Sequence, residues 1–248
     1  MKTQDNLVKS IPTLENGDRL TRDEFERRYE AMPHVKKADL IEGVVYVASA
    51  LRYRRHGLPH GYIMGGLATY SSATPGVELA DNSTVRLDLD NEPQPDALLR
   101  IDEELGGQSY ISEDDYIEGA PELVVEVASS SAAYDLYDKL KAYRRNGVQE
   151  YIVWQIAEQK LNWFSLQTSE YVLLTPDDSG VINSRIFPGL NLPVAALLAG
   201  NLAIVLAEVQ KGTTTESHQA FVQSLASRFL LAAESPKPYE GSAIHESE

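Results

Sequence analysis

Apolar residues recur along the chain with two different periods, and the changes between these periods predict an alternation of helices and strands. The segment TRDEFERRYEAM carries a capping-box pair, Thr21 and Glu24, and predicts a helix that ends before Pro33. In the next segment, ADLIEGVVYVAS, Gly43 separates two short apolar runs. This pattern predicts either two strands joined by a tight turn or one bulged strand.

The middle of the chain combines a further helix with a series of short strands. Ile63, Leu67 and Tyr70 recur at helical spacing, so residues 55–70 are predicted to form a helix. The segments VELAD, STVRLDLD, ALLRI and ELVVEVAS have the composition of strands, and residues 102–120 are predicted to form a loop.

The second half of the chain begins with a predicted helix over residues 133–145. Three strand-like segments, EYIVWQIA, KLNWFSL and EYVLLT, follow at short spacing, which predicts an antiparallel meander at the edge of a sheet. Further helices are predicted over residues 193–209 and 216–233. The last helix carries an apolar stripe that favours docking on its own domain over binding a partner.

This order of elements predicts a mixed α/β fold with a helical C-terminal appendage. We divide the chain into four parts: a flexible lead-in at 1–18, an α/β domain at 19–199, a helical appendage at 200–234 and a disordered tail at 235–248.

Composition and charge restrict the classes of function. The chain has 248 residues, no cysteine and a formal net charge of −15, so disulfides and thiolate metal sites are excluded. The acidity counts against tight, non-specific nucleic-acid binding but leaves room for a local basic strip. The first ten residues are too polar for a signal peptide, and polar residues interrupt the apolar stretch at 192–209. We therefore expect a cytoplasmic protein that does not bind a membrane.

Several common catalytic signatures are missing from the sequence, including the Walker loop, GxGxxG, GxSxG and HExxH. His56 and His60 have i, i+4 spacing, but Gly57 and Pro59 interrupt it and no third ligand is evident nearby. We therefore interpret both histidines as surface residues at the start of a helix.

Carboxylates remain as the candidate catalytic groups. Asp96 follows Pro95 at the start of a strand, and Glu126 lies within the apolar run LVVEVA, where burying a carboxylate is costly without a cation or a hydrogen-bond donor. Solvent on one face of the strand would also explain Glu126. Asp135, Lys139 and Tyr143 share one helical face. A solvent-side salt bridge is the usual explanation of such spacing, and a functional site on that face is the alternative.

The combination of these motifs resembles the Uma family of restriction-endonuclease-like proteins, which belongs to the PD-(D/E)XK nuclease superfamily. The resemblance spans about residues 20–197 and rests on motifs in a fixed order. These motifs are Glu42-Gly43, Pro95-Asp96, Pro121-Glu-Leu-Val-Val-Glu126-Val-Ala-Ser129, Asp135-x-x-x-Lys139-x-x-x-Tyr143 and Gly147-Val-x-Glu-Tyr151.

The resemblance implies a restriction-endonuclease-like fold, a central mixed sheet flanked by helices, with Asp96, Glu126 and Lys139 as catalytic residues. It also implies that Asp96, Glu126 and Glu42 bind Mg²⁺ or Mn²⁺, the hard cations that oxygen ligands suit. One departure is that the superfamily lysine two residues after the acid is Ala128 here. Lys139, on the next helix, would have to reach the same point. Glu122 shares a strand face with Glu126 and is either a supporting residue or a solvated one.

These implications lead to the hypothesis of a Mg²⁺-dependent DNA endonuclease, and by analogy of a homodimer. The competing hypothesis is a catalytically inactive nuclease-fold module for binding or assembly, which the acidity and Ala128 favour. Action on RNA or on single-stranded or branched DNA is a third possibility. For it Trp154, Trp163 and Phe164 could stack on bases, although aromatic residues in strands are usually core.

Overall fold

The computed structural model describes residues 11–129 and 132–234 and consists of strands and helices in alternation. In chain order the strands are β1 (Ala38–Ile41), β2 (Val44–Val47), β3 (Val77–Asp81), β4 (Val85–Arg86), β5 (Ala97–Ile101), β6 (Tyr110–Ile111), β7 (Ile117–Glu118), β8 (Leu123–Ala128), β9 (Glu150–Gln155), β10 (Lys160–Gln167), β11 (Glu170–Leu173), β12 (Val181–Asn183) and β13 (Asn191–Pro193).

The α-helices are α1 (Arg22–Glu30), α2 (Leu58–Ser72), α3 (Ala132–Tyr134), α4 (Leu140–Arg145), α5 (Val194–Leu198), α6 (Leu202–Thr213) and α7 (Glu216–Glu234). Two π-helical segments precede α2 and α4, at Tyr53–Gly57 and Asp135–Lys139, and a 3-10 helix forms at Glu103–Leu105.

Six strands form the central sheet in the order β11-β10-β9-β8-β5-β3. Only the β8–β9 pair within this sheet is parallel, and the remaining neighbours are antiparallel. The predicted mixed sheet and the antiparallel meander at its edge are therefore confirmed. Because β8 and β9 are parallel neighbours, the chain between them crosses the sheet as a helical connection.

Helices cover both faces of β8, which explains why all six of its residues are buried. Alternation places Leu123, Val125 and Val127 on one face, in a core that includes residues of α2, α6 and α7. Val124 and Ala128 lie on the other face, in a core with Tyr143 of α4. Glu126 has the same parity as this second set, so its side chain points towards the helical connection.

Strands β1 and β2 form the tight hairpin that was one of the two predicted alternatives. Glu42 and Gly43 occupy its turn with positive φ angles of 52° and 72°. Glycine adopts this backbone conformation without strain, which fits the two-residue turn. The bridge between Leu40 and Glu92 attaches the hairpin to the segment that leads into β5.

Helices α6 and α7 pack on the main domain. Val205, Val209 and Leu225 belong to the same buried cluster as residues of α2 and the central sheet. His218 is 3% exposed, and its Nε2 lies 2.9 Å from Thr74 Oγ1 at the end of α2. Leu225 of the predicted stripe is buried and Phe221 packs against the same cluster, so this part of α7 docks on its own domain, as favoured from the sequence, whereas Phe229 is 52% exposed.

Several local predictions are wrong. Thr21 makes no side-chain cap, and the carboxylate of its expected partner Glu24 pairs with Arg27 and Arg28. The segment STVRLDLD forms a strand only at β4, and the predicted loop at 102–120 contains the 3-10 helix and two short strands. These short strands pair only with one another and with β4, in a separate three-stranded sheet.

The aromatic residues of β9 and β10 belong to the core. Trp154 and Trp163 are 4% and 0% exposed, so they are not available to stack on bases. None of the helices within 11–129 and 132–234 combines the length and apolarity that a bilayer crossing requires. The predicted tail at 235–248 and the first ten residues of the predicted lead-in lie outside the described residues.

Candidate active site

A cavity of about 480 Å³ lies between the β1–β2 hairpin, the segment before α2, the end of β8 and the π-helical segment Asp135–Lys139. Four carboxylates and two ammonium groups line it, which is unusual for the centre of a fold because buried charges are costly unless they are paired. These six side chains belong to Lys37, Asp39, Asp96, Glu126, Asp135 and Lys139.

Asp96 enters the cavity from the residue directly before β5 and is 3% exposed. Its Oδ2 accepts a hydrogen bond from the backbone N–H of Val127 at 2.7 Å, which fixes the carboxylate against β8. Its Oδ1 lies 2.7 Å from Lys37 Nζ. Burial opposes ionisation of this carboxyl, but the Lys37 ammonium, together with the His56 ring and the Val127 hydrogen bond, holds the pKa of Asp96 below its usual value.

Glu126 and Lys139 meet although they belong to different elements. Lys139 Nζ donates to Glu126 Oε1 at 2.7 Å, and the Tyr143 hydroxyl donates to the same oxygen at 3.1 Å. The lysine therefore reaches the carboxylate from the helical connection, although Ala128 occupies the usual lysine position. Burial raises the pKa of the Glu126 carboxyl, against the opposing attraction of Lys139.

Lys139 remains an ammonium in this environment. Burial alone would lower the pKa of Lys139, but the neighbouring carboxylates of Asp39 and Glu126 raise it well above its usual value. Asp135 contributes a third carboxylate, with Oδ1 at 4.0 Å from Lys139 Nζ. Asp135, Lys139 and Tyr143 do share one face of the connection, and all three are buried, so the surface salt-bridge interpretation is wrong.

Asp39, rather than Glu42, is the acidic residue of the hairpin that faces the cavity. Asp39 is 5% exposed, its Oδ2 lies 2.8 Å from Lys139 Nζ, and its Oδ1 accepts the backbone N–H of Gln94 at 2.8 Å. Glu42 lies three residues later, in the hairpin turn, where its Oε2 pairs with Arg145 at 3.0 Å. The structure therefore brings Asp96, Glu126 and Lys139 together but does not bring Glu42 to them.

The interpretation of His56 as a surface residue is wrong. His56 is 5% exposed; its Nδ1 lies 3.1 Å from the carbonyl oxygen of Val127 and its Nε2 lies 3.6 Å from Asp96 Oδ1. His60 is partly buried, with Nε2 at 2.8 Å from the carbonyl oxygen of Asp96 and 3.2 Å from Asp81 Oδ1. Both histidines thus attach the start of α2 to the strands that carry the carboxylates.

His56 presents a free acceptor to the cavity. Burial lowers the pKa of His56 below its usual value, so the ring is neutral near pH 7. The Val127 carbonyl can only accept, which assigns the ring proton to Nδ1 and leaves a lone pair on Nε2. Nε2 is buried and has no hydrogen-bond partner among the described residues.

Three residues of the cavity were missed from the sequence: Lys37, Asp39 and His56. Asp39 carries the signal that singled out Glu126, because it is an acidic residue within a short apolar run, ADLI. No comparable signal marks Lys37 or His56, whose contacts depend on how distant segments fold together. Glu122 is also neither solvated nor part of the cavity. It is 1% exposed and accepts the backbone N–H groups of Ile101 and Gln108 at 2.7 and 2.9 Å.

Comparison with known proteins places this architecture in a family. The family model Uma2, described as "Putative restriction endonuclease", matches residues 22–195, which is more than half of the chain. The chain belongs to the Uma2 family. The family assignment expected from the sequence motifs is thereby confirmed.

A solved structure shares the fold of this Uma2 chain. It is described as the crystal structure of "a putative nuclease belonging to DUF820 from Anabaena variabilis ATCC 29413" and matches with a TM-score of 0.51 at 12% sequence identity. The match covers 70% of this chain and 97% of that chain. At this identity the likeness concerns the fold alone, and it confirms the restriction-endonuclease-like α/β class. A search of curated proteins found no match.

The donor set of the Uma2 cavity fits a divalent cation in its chemistry. Asp39, Asp96, Glu126 and Asp135 supply carboxylate oxygens, the ligands that hard divalent cations prefer. The buried Nε2 of His56, which has no hydrogen-bond partner among the described residues, lies 3.6 Å from Asp96 Oδ1 and adds a nitrogen donor. Within the described residues, however, no three acidic or histidine side chains converge as a ready-made metal site, since the lysines lie between the carboxylates.

Proposed function

We propose that this Uma2 protein is a metal-dependent endonuclease that hydrolyses phosphodiester bonds of DNA. The observation that carries the proposal is the contact of 2.7 Å between Lys139 Nζ and Glu126 Oε1 in the cavity that also holds Asp96. An acid on a central strand, a second acid at the start of the neighbouring strand and a lysine in contact with the first acid are groups that suit metal-assisted phosphodiester hydrolysis.

Asp96 and Glu126 are the residues that would hold the cation, together with Nε2 of His56. When bound, a divalent cation supplies an activated water and neutralises charge on the phosphate. A mixed set of carboxylate oxygen and imidazole nitrogen suits Mn²⁺ at least as well as Mg²⁺. Glu42 has no part in this proposal, because its carboxylate is engaged by Arg145 outside the cavity.

The two lysines have separate roles in the proposal. Lys139 is held by Asp39, Glu126 and Asp135 and keeps its proton, so it offers a fixed positive charge to the developing phosphorane. Asp96 is the acid that pairs with Lys37 among the residues the structure describes, and Lys37 is partly exposed, so it can turn to a phosphate oxygen when the substrate enters.

Cleavage assays with matched variants test the proposal. Supercoiled plasmid and labelled duplex oligonucleotides are incubated with the wild-type chain and Mg²⁺ or Mn²⁺, beside Asp96→Asn and Glu126→Gln. We expect cleavage by the wild type and a loss of at least about 100-fold in both variants. Glu158→Gln, at an exposed position, is the control and retains the wild-type rate. Wild-type protein without cleavage in either metal, or Glu126→Gln with the wild-type rate, rejects the proposal.

A second candidate function is a nuclease-fold binding module without catalysis. The observation that favours it is that Lys37 and Lys139 already neutralise carboxylate oxygens in the cavity. Calorimetric titration of the wild type with Mn²⁺ separates the two candidates. Binding that Asp96→Asn abolishes supports the nuclease, whereas no binding with or without a non-cleavable phosphorothioate oligonucleotide supports the binding module.

A homodimer is the assembly that we propose for the nuclease, since cutting both strands of a duplex at one locus needs two such cavities. Light scattering on the purified chain measures this directly. A mass of twice 27.4 kDa supports the dimer, and a monomeric mass at micromolar concentration contradicts it.

A further inference from the structure

The distribution of charge along this acidic chain is uneven. The whole chain has 37 acidic residues, yet none occurs between Glu42 and Glu78. This acid-free stretch contains three closely spaced arginines in the sequence Leu-Arg-Tyr-Arg-Arg, residues 51–55, which we call the basic segment. The basic segment is therefore a local strip of positive charge, which the negative net charge of the whole chain does not exclude.

The side chains of the basic segment project into solvent. Tyr53 and Leu51 are 71% and 62% exposed, and Arg52, Arg54 and Arg55 are all exposed. In the described part of the chain no carboxylate lies within 4.0 Å of these three guanidinium groups.

Seven arginines elsewhere in the described chain are engaged by acidic residues, whereas Arg19, Arg185 and Arg228 have no carboxylate within 4.0 Å among the described residues. Arg86 contacts Glu26, Asp114 and Glu118, Arg100 contacts Glu78, and Arg145 contacts Glu42 and Asp88. Unlike Arg86, Arg100 and Arg145, the three arginines of the basic segment are not engaged by carboxylates of the described residues. Their guanidinium N–H groups can therefore donate to a phosphate, whose geometry the planar guanidinium matches.

The backbone holds the basic segment at the mouth of the candidate active site. The carbonyl oxygen of Arg52 accepts the N–H groups of His56 and Gly57 at 2.9 and 3.2 Å, which forms the π-helical turn. His56, directly after Arg55, is fixed to Val127 of β8 through its Nδ1. Arg52 and Arg55 both line the cavity that contains Asp96.

From this placement we infer that the basic segment binds the sugar-phosphate backbone of a nucleic-acid strand that enters the cavity, with the ring of Tyr53 stacking on a base. The inference deepens the proposed function by naming the residues that receive its substrate. Positive charge is concentrated at this mouth while the chain as a whole carries a net charge of −15, so the same electrostatics that favour binding here oppose binding elsewhere on the surface.

Binding in EDTA tests the inference without requiring catalysis. Fluorescein-labelled duplex DNA, single-stranded DNA and single-stranded RNA are titrated with the wild type and with the triple variant Arg52→Gln, Arg54→Gln, Arg55→Gln, followed by anisotropy between 50 and 200 mM salt. We expect at least fivefold weaker binding for the triple variant at 100 mM salt. For duplex DNA the slope of log affinity against log salt should also fall by about 2 to 3, since each phosphate contact contributes about 0.9.

The control removes the same amount of charge from other exposed sites. The triple variant Lys141→Gln, Lys160→Gln, Lys211→Gln changes the net charge equally and is expected to bind within twofold of the wild type. Thermal unfolding followed by circular dichroism verifies that both triple variants are folded. The inference is overturned if the wild type binds none of the three nucleic acids or if the affinity of the arginine variant falls less than fivefold. It is also overturned if the affinity of the control variant falls as much as that of the arginine variant.

The Tyr53→Ala variant tests the stacking part separately. Stacking requires an unpaired base, so we expect at least fivefold weaker binding of the preferred single strand and less than twofold weaker binding of the duplex. Equal affinities of Tyr53→Ala and wild type for all three ligands would show that Tyr53 does not contribute to nucleic-acid binding. A wild type that binds through the arginines but cleaves nothing with Mg²⁺ or Mn²⁺ keeps the inference and rejects the nuclease proposal, so the two can fail independently.

Discussion

Lys139 Nζ lies 2.7 Å from Glu126 Oε1 and 2.8 Å from Asp39 Oδ2, so one buried ammonium joins the helical connection to both the central sheet and the β1–β2 hairpin. The lysine and Glu126 are separated by 13 positions in sequence, while Asp39 is 100 positions away from the lysine. The same contacts that would position a catalytic group therefore also hold three elements of the fold together.

This relationship predicts a large stability cost for Lys139→Met. The substitution keeps the length of the side chain but leaves Asp39, Glu126 and Asp135 without their shared cation, and breaking a buried ion pair from one side costs about 3–5 kcal/mol. Urea unfolding followed by circular dichroism measures the free energy of unfolding.

Lys141→Met is the matched control for this prediction. Lys141 is exposed, and its Nζ lies 3.5 Å from Glu42, so its loss should change stability by about 0.5 kcal/mol or less. The double variant Lys139→Met, Glu126→Gln should recover part of the loss, because it removes one of the uncompensated charges. Equal stability of Lys139→Met and wild type would mean that the buried pair contributes nothing.

A second prediction concerns Lys37, which stands between Asp96 and any incoming cation. Its Nζ lies 2.7 Å from Asp96 Oδ1, so a divalent cation at that oxygen must displace or repel the ammonium. We expect Lys37→Met to bind Mn²⁺ at least about tenfold more tightly than the wild type in calorimetry. Lys36→Met is the control, since Lys36 is an exposed neighbour whose Nζ contacts the carbonyl of Pro33 and no acidic residue among those described. Weaker or unchanged binding by Lys37→Met would contradict the proposed competition.

The pattern and composition of apolar residues predicted the individual strands, while the motif resemblance implied the central mixed sheet and supplied Asp96, Glu126 and Lys139. These three residues meet in the structure because the parallel β8–β9 pair requires a crossing helix, which carries Lys139 over the face of β8 that bears Glu126. The convergence thus depends on topology that the order of strands and helices already implied.

Asp39 and His56 could not be predicted from the local sequence, for two different reasons. The motif resemblance implied Glu42 through the acidic residue that precedes the turn glycine, whereas the acid that faces the cavity, Asp39, is set by the hairpin's attachment at Leu40 and Glu92. His56 lies in a segment with Gly57 and Pro59, which suggests an interrupted helix start. A π-helical turn there, stabilised by contacts with the distant Val127, turns the ring inwards. Neither effect has a signature in local sequence.

A third prediction uses Glu150, a fully buried carboxyl at the start of β9 and away from the candidate active site. It accepts hydrogen bonds from Ser184 Oγ and the backbone N–H of Arg185, each at 2.7 Å, and burial raises its pKa from 4.5 to about 7. Between these two pH values the folded chain binds more protons at Glu150 than the unfolded chain does. Stability from this group is therefore fully present below pH 4.5 and is lost as the pH rises towards 7.

The measurement for Glu150 is the free energy of unfolding at pH 5 and pH 8. From pH 5 to pH 8 we expect the free energy of unfolding of the wild type to fall by up to about 3 kcal/mol more than that of Glu150→Gln, because glutamine does not titrate. Glu158→Gln, at an exposed position, should retain the pH dependence of the wild type. The same pH dependence in Glu150→Gln and wild type would show that this carboxyl does not titrate in the window.

The last prediction separates the two candidate metals by way of His56. Its Nδ1 is engaged by the Val127 carbonyl while Nε2 has no partner among the described residues, so only Nε2 is available as a ligand. Asparagine at this position can still donate to that carbonyl but lacks the second nitrogen. We expect His56→Asn to weaken Mn²⁺ binding at least about tenfold in calorimetry and Mg²⁺ binding by less than about threefold, because Mg²⁺ prefers oxygen ligands. His34→Asn, at an exposed histidine, controls for loss of an imidazole. Equal weakening for both metals would mean that His56 acts by holding Asp96 and β8 in place rather than as a ligand.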